Sequence, residues 1–286
     1  MQTRKVDEVV LVDSSSQDQT VPLARQFDFI KILNIDNKDF NHGGTRDAAI
    51  QASSGDFILC LTQDALPVDE FYVERLVSPL EQDASVAMAS GRQIAKPDAS
   101  LSEKLTREFN YPNVNFVRDK KDLPYLGIKT FFASNCCSAY RRSTYDAIGG
   151  FDKNILVNED MKIAAQFIFA GYKIAYVGDA SVLHSHNYSL LQQCARNFDV
   201  AAFMAMNADL FKGVSATSEG FRMVKWVLSQ MLLHGHFFAA AHYVLECAFK
   251  YYGNCIGEHY RQLSLSKVLH YSMHKKFWKQ MEWRGA

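Results

Sequence analysis

Two carboxylates stand where a chain can do chemistry at the edge of a sheet. Asp13 ends the apolar run Val9–Val12, and Asp64 follows the run Phe57–Leu61. In open α/β sheets ligands gather beyond the carboxyl ends of strands. A strand-end Asp is also an ordinary cap or turn former, so each acid alone is ambiguous and the pair says more than either. Glu159 and Asp160 follow Asn158 at the head of a helical pattern. Acids there can simply answer the helix dipole, or present a general base on a rigid helix end. His184 and His186 flank Ser185 just past a strand pattern. Alternation puts both imidazoles on one side, so they could converge with Asp64 on a divalent ion that bridges a diphosphate. His-x-His alone is a weak signal. No G-x-G-x-x-G follows any strand and no G-x-x-x-x-G-K-[ST] occurs, which disfavours dinucleotide oxidoreductases and P-loop NTPases.

The elements that must hold these groups alternate between strand and helix. Strands are expected over 8–13, 29–33, 56–61, 86–91, 131–140, 172–177 and 181–184. Helices are expected over 19–26, 47–52 (fed by a Gly turn at 42–46), after Pro67, near 100–110, over 142–148 and 159–170, and from Leu190 onward with breaks near 213–219 and Gly253. Such alternation implies an α/β layer with a mostly parallel sheet flanked by helices.

The chain has 286 residues, nearly half of them apolar, and zero formal net charge. That supports a substantial core and argues against a nucleic-acid binder. The charge is uneven: Arg261, Lys267, Lys275, Lys276, Lys279 and Arg284 face only Glu282 in the last 26 residues. A basic tail with Phe277 and Trp278 suggests contact with an anionic surface, against the plainer reading of a solvated helix end. The six cysteines show no C-x-x-C spacing, a reduced, cytosolic pattern, and Cys60 reads as a buried thiol. The start shows no signal peptide. The stretch 226–245 lacks Asp, Glu, Lys and Arg but holds three His, a Gln and a Gly, so a membrane span is disfavoured. The helical pattern over 221–250 reads as a helix packed on the body, or as a face that lies on a membrane or forms a homodimer.

Five segments occur together in a known order: Val12 to Asp18, Phe40-Asn41-His42-Gly43-Gly44-Thr45-Arg46, Leu61 to Ala65, Asn158-Glu159-Asp160, and His184-Ser185-His186-Asn187-Tyr188. Over about residues 6–200 the chain resembles bacterial family 2 glycosyltransferases, and among these the rhamnosyltransferases of O-antigen and other cell-surface polysaccharides. The resemblance implies a GT-A (Rossmann-like) domain over 1–200 with a helical C-terminal region over 201–286. It implies inverting transfer from a nucleotide sugar, dTDP-L-rhamnose, to a glycan acceptor that can be lipid-linked, at the cytoplasmic face of the plasma membrane. Asp160 would be the catalytic base. Asp13 and Ser15 would contact the nucleotide, and His42, Gly43, Gly44, Arg46, Gln63 and Glu159 would line the donor. Asp64, with His184 and then His186, would bind Mg2+ or Mn2+. Arg46, Arg92 or Arg196 would add charge to the leaving phosphates. Thr62-Gln63-Asp64 stands at the family's Asp-X-Asp position with one carboxylate missing, as is usual in the subgroup.

The same resemblance expects a further strand and helix ahead of Val9. The expectation is therefore an N-terminally incomplete sheet, from a truncated gene product, a misplaced start codon or removal of that unit. Two other readings stand beside an active transferase: a non-catalytic remnant or scaffold, and a nucleotidyltransferase built on a similar framework.

Overall fold

The computed structural model describes residues 2–214 and 217–281. In chain order the elements are β1 (Val9–Asp13), α1 (Thr20–Ala24), β2 (Ile30–Asn34), α2 (His42–Gln51), β3 (Phe57–Leu61), β4 (Leu66–Pro67), α3 (Tyr72–Gln82), β5 (Val86–Ile94), α4 (Leu101–Asn110), β6 (Phe116–Arg118) and α5 (Leu123–Leu126). They continue with β7 (Cys137–Arg141), α6 (Arg142–Ala147), α7 (Glu159–Phe169), β8 (Lys173–Leu183), α8 (Leu190–Met206), α9 (Thr217–Leu233), α10 (Phe237–Glu258), α11 (Leu265–Tyr271) and α12 (Lys275–Gln280).

β1 and β2 pair in parallel, Val9 with Ile30 through Asp13 with Asn34, as a separate two-stranded sheet. The other six strands form one sheet in the order β3-β7-β5-β8-β4, with β6 also on β8. Only β5 and β8 run parallel there; β3–β7, β5–β7, β4–β8 and β6–β8 are antiparallel. The expected mostly parallel sheet is therefore a mixed one. Apolar runs report burial and carry no information on direction, and β7 returns between β3 and β5 after a long irregular segment.

Alternation along the strands builds two core layers. On one face Met88 and Tyr140 join Ile50, Tyr145, Ile163 and Phe167 from α2, α6 and α7, with Phe151 from the segment between α6 and α7. On the other, Ala89 and Ala139 meet Leu76, Val77 and Leu80 of α3. The small strand residues on that second face let α3 lie close to the sheet.

Several expected boundaries move. Residues 131–136 are not strand; a 3-10 turn over Gly127–Phe131 precedes β7. Pro67 does not open a helix but sits in β4, paired with Val182. The segments 172–177 and 181–184 are one strand, β8, with a register irregularity opposite Gly91 and Arg92. The helix after the Gly turn begins at His42, because the Asn41 side chain caps it by accepting from the Gly43 and Gly44 N–H groups.

Gly253 does not break the chain's helical course. A Cβ there would lie 2.1 Å from the Cys194 carbonyl oxygen, and one at Gly257 would lie 2.2 Å from that of Phe198. These glycines let α10 press against the backbone of α8. The turn falls instead at Gly235, with φ of 75°. In the basic tail the indole is docked while Lys275, Lys276 and Lys279 stay exposed. Trp278 is fully buried beside Phe198 and Tyr260, and its indole N–H donates to Ser272 Oγ at 2.9 Å. Glu282 and Arg284 lie outside the described residues.

Candidate active site

Asp64 follows β3 by three residues, and β8 ends just before His184. The β3 and β8 ends bring the three sequence candidates for metal together. Asp64 Oδ2 lies 3.3 Å from His184 Nε2 and 3.5 Å from His186 Nε2. One ligand atom from each of the three falls within 4.8 Å of the others. Burial would raise the Asp64 pKa, but the His184 imidazole, the Thr62 hydroxyl, its own backbone and His186 outweigh it and hold the carboxyl below its ordinary value. Burial and then the neighbouring His184 depress His186. Both effects favour a carboxylate at Asp64 and a neutral imidazole at His186, the protonation states a metal requires.

The orientation of His184 is set from behind. Its Nδ1 meets Gln93 Oε1 at 2.8 Å, and Gln93 Nε2 donates to the Tyr111 hydroxyl at 3.0 Å. Arg107 also donates to Gln93 Oε1, and is itself held by Glu103 at 2.7 Å. A carbonyl oxygen already accepting from a guanidinium can only accept from the ring as well. So Nδ1 carries a proton and Nε2 is turned toward Asp64, the orientation expected of a histidine that would ligate a metal through Nε2. One carboxylate and two imidazoles suit a divalent cation that takes mixed oxygen and nitrogen ligands. Gln93 was not a sequence candidate; it sits with Ser90 and Arg92 in the polar second half of β5, and that cluster within a strand was the available signal.

The acid pair at α7 divides its labour. Glu159 is buried, with Oε1 2.8 Å from Arg46 Nη1 and 3.1 Å from Asn135 Nδ2. Burial would push its pKa up, and Arg46, His42 and Asn135 bring it below the ordinary value. Arg46 is thus an internal counter-ion, also tied at 3.1 Å to the His42 carbonyl, and is not a free phosphate ligand. Asp160 keeps partial exposure. Burial, then the Glu159 charge, raise its pKa to about 7, against the N–H groups of Asn135 at 3.0 Å and Met161 at 2.8 Å. A carboxyl poised near neutrality is suited to proton transfer. Asn158, which precedes the pair, is left-handed at φ of 58°, a backbone conformation that non-glycine residues adopt mainly under local constraint.

The two acids are linked through one segment ahead of β7. Asn135 is 1% exposed and donates to both Glu159 and Asp160, while its Oδ1 accepts from Ser138 and Tyr140. The next residue, Cys136, accepts through its carbonyl from Thr62 N at 3.2 Å. Thr62 in turn bonds the Asp64 carboxylate. Asn135 was missed because it sits in what reads as strand.

The remaining candidates are placed as follows. Asp13 is buried and closes a turn, accepting from Ser15 N and Ser16 N at 3.1 Å each. Ser15 is left-handed, φ 68°, and its hydroxyl donates to the Ile35 carbonyl. Gln63 is exposed. Gly43 and Gly44 do not present free N–H groups to a diphosphate: both donate to Asn41 Oδ1 at 3.1 Å. A Cβ at Gly43 would sit 2.0 Å from the Asp152 carbonyl oxygen, so packing against the 152–155 loop demands glycine there. His42 meets His274 edge-to-face at 5.3 Å, bringing the C-terminal segment to this rim. Arg196 lies over the Tyr188 ring at 5.7 Å, and Tyr188 stacks on His186.

The comparisons with known proteins bear on the family and the fold. A family model described as Glycosyl transferase family 2 matches residues 1–149. The O-antigen chain rhamnosyltransferase RfbN of Salmonella typhimurium is 40% identical over 287 residues, covering 100% of this chain and 91% of that protein. The O-antigen chain rhamnosyltransferase WbaN of Salmonella anatum is 39% identical, covering 100% and 90%. Among solved structures, the mannosyltransferase PcManGT from Pyrobaculum calidifontis, in complex with GDP-Man and Mn2+, aligns with a TM-score of 0.55 at 15% identity, over 90% of this chain and 79% of that one. S. aureus TarS 1-349 in complex with UDP-GlcNAc aligns at 0.51 and 13% identity, over 78% and 63%. At such identities the structural likeness bears on the fold alone.

Proposed function

The chain belongs to glycosyl transferase family 2 and has its GT-A fold, and from that premise we propose an inverting rhamnosyltransferase that moves L-rhamnose from dTDP-L-rhamnose to an O-antigen or lipid-linked glycan. The donor and acceptor are supported by full-length similarity to the two O-antigen rhamnosyltransferases. The observation that carries the catalytic reading is the division of the acids: Asp64 converges with two imidazoles, while Asp160 stands apart with a pKa near neutrality.

Asp160 accepts the proton of the acceptor hydroxyl as its oxygen bonds to the anomeric carbon. The bond from that carbon to the nucleotide diphosphate breaks in the same displacement, so configuration inverts and no enzyme nucleophile is needed. Glu159 and Arg46 neutralise one another behind the base and fix the start of α7. Asp64, His184 and His186 would hold Mg2+ or Mn2+; such an ion, when bound, neutralises charge on the departing diphosphate. Arg196, exposed over Tyr188, is the cation we assign to the same phosphates in place of Arg46. Asp13 and Ser15 at the β1 end, with Gln63, form the side we assign to the nucleoside.

Thermal unfolding with a panel of nucleoside diphosphates and Mn2+, repeated on Asp64→Ala, tests this. The expected result is stabilisation by dTDP that the variant loses. Stabilisation by UDP or GDP instead would reassign the donor, and no shift with any nucleotide would remove the transferase reading.

A further inference from the structure

The antiparallel hairpin α9–α10 ends in an apolar tip that none of the described residues covers. From Leu232 to Phe238 seven consecutive residues are exposed, and four of them are large and apolar. Leu233 is 78% and Phe238 95% exposed. Behind the tip, α10 carries Val244, Leu245, Tyr251 and Tyr252 on its outer side, each more than half exposed. The spacing of seven from 237–238 to 244–245 to 251–252 is two helical turns, so these side chains make one stripe. The inner side of the same helix is committed to the protein through Ala240, Tyr243, Gly253 and Gly257.

We propose that this hairpin inserts its tip into the interfacial layer of an anionic lipid bilayer. Three observations favour a bilayer over a protein partner. The most exposed aliphatic and phenyl groups, Leu233 and Phe238, sit at the turn between the two helices, which offers little flat area for a second copy to bury. The exposed groups are graded along the helix: purely apolar Phe and Leu at the tip, and Tyr, with its polar hydroxyl, at the far end. A bilayer is graded in that way, and aromatic residues with one polar end collect at its headgroup level. Charge agrees as well. No Asp or Glu lies between Glu219 and Glu246, and Glu246 is buried against Ser102. Over that span the basic groups are Arg222, paired with Glu219 at 3.0 Å, and Lys225, beside the exposed imidazoles of His234, His236 and His242, the last 3.1 Å from Glu246. No described helix is long and apolar enough to cross a membrane, so the contact is one of surface insertion.

This contact replaces the C-terminal tail as the membrane-facing element, since Trp278 is inside the core. It stands on exposure and charge and does not depend on which sugar is moved. Flotation of the full chain with vesicles of phosphatidylcholine, with and without phosphatidylglycerol, reads it directly. The wild-type chain should float with the mixed vesicles. Leu233→Ser with Phe238→Ser should lower the bound fraction at least roughly tenfold, because two large apolar side chains leave the lipid. Circular dichroism and the dTDP-induced thermal shift of that variant should be unchanged, since neither residue touches the body. Wild-type binding that survives the double substitution would overturn the proposal. So would failure of the wild type to float together with a dimer, seen by light scattering, that the double substitution dissociates. If dTDP binding fails while flotation succeeds, the donor assignment falls and the membrane contact stands.

Discussion

Exchanging Glu159 for Gln should move the acid limb of the pH–rate profile to lower pH. The limb arises because Asp160 must be ionised to accept a proton and its pKa is raised to about 7. Below that value kcat/KM should fall about tenfold per pH unit, leaving roughly a tenth of the plateau at pH 6. Burial is the main cause of the raised value and the Glu159 carboxylate the second. Gln removes that negative charge. It also frees the Arg46 guanidinium, whose attraction for Asp160 is otherwise spent on Glu159 at 2.8 Å. Both changes favour the ionised base, and a shift of about one unit corresponds to about 1.4 kcal/mol. At pH 6 the variant should then run at about half of its own plateau. Removing one partner of a buried ion pair costs about 3–5 kcal/mol, so the assay belongs well below the unfolding temperature. Rates of transfer from dTDP-rhamnose to a soluble acceptor between pH 5 and 8 give both limbs. His42→Gln serves as the control, since that imidazole also neighbours Glu159. An unchanged or higher midpoint in Glu159→Gln would refute the assignment of the limb to Asp160, as would its disappearance in His42→Gln.

Three further outcomes follow from named contacts. Gln93→Leu should weaken Mn2+ affinity about 10–100-fold with the fold intact, because His184 loses the acceptor that fixes its tautomer; calorimetric titration with Mn2+ alone measures this. Gly43→Ala should destabilise by about 1–3 kcal/mol in denaturant unfolding, since its Cβ would meet the Asp152 carbonyl at 2.0 Å. Trp278→Ala should cost about 3–5 kcal/mol by the same measurement, and unchanged stability would return the tail to the surface.

Much of the site was readable because its chemistry depends on residue type at strand ends. Asp64, His184 and His186 meet as expected, and Glu159 and Asp160 do begin a helix. What could not be read is which of several polar groups a buried charge will choose. Arg46 looks like a phosphate ligand until Glu159 is found to be buried against it. Gly43 and Gly44 look like a cradle until Asn41 takes their N–H groups and a loop more than a hundred residues away fills the space above them. Asn135 has no local signature, because its importance comes from four partners gathered from β7 and α7. The sheet failed to be read for a similar reason. β7 is buried on both faces whichever way it runs, and only its partners β3 and β5 decide the direction.

The C-terminal helices matter to the site through the same kind of distant choice. Asp199 of α8, 1% exposed, accepts from the Ser272 hydroxyl at 2.5 Å and the Met273 N–H at 2.8 Å. Ser272 Oγ also accepts from the His274 N–H and the Trp278 indole. Burial raises the Asp199 pKa against those donors, so this loop is held by a buried carboxylate that the Ser272 hydroxyl and the Met273 N–H satisfy. Its consequence is that His274 stands against His42 at the rim of the donor side. The helical region is therefore bound to the body through Asp199 and Ser272 at one end while its α9–α10 tip stays exposed at the other, so the membrane contact proposed above and the segment packed against His42 lie on separate parts of the region.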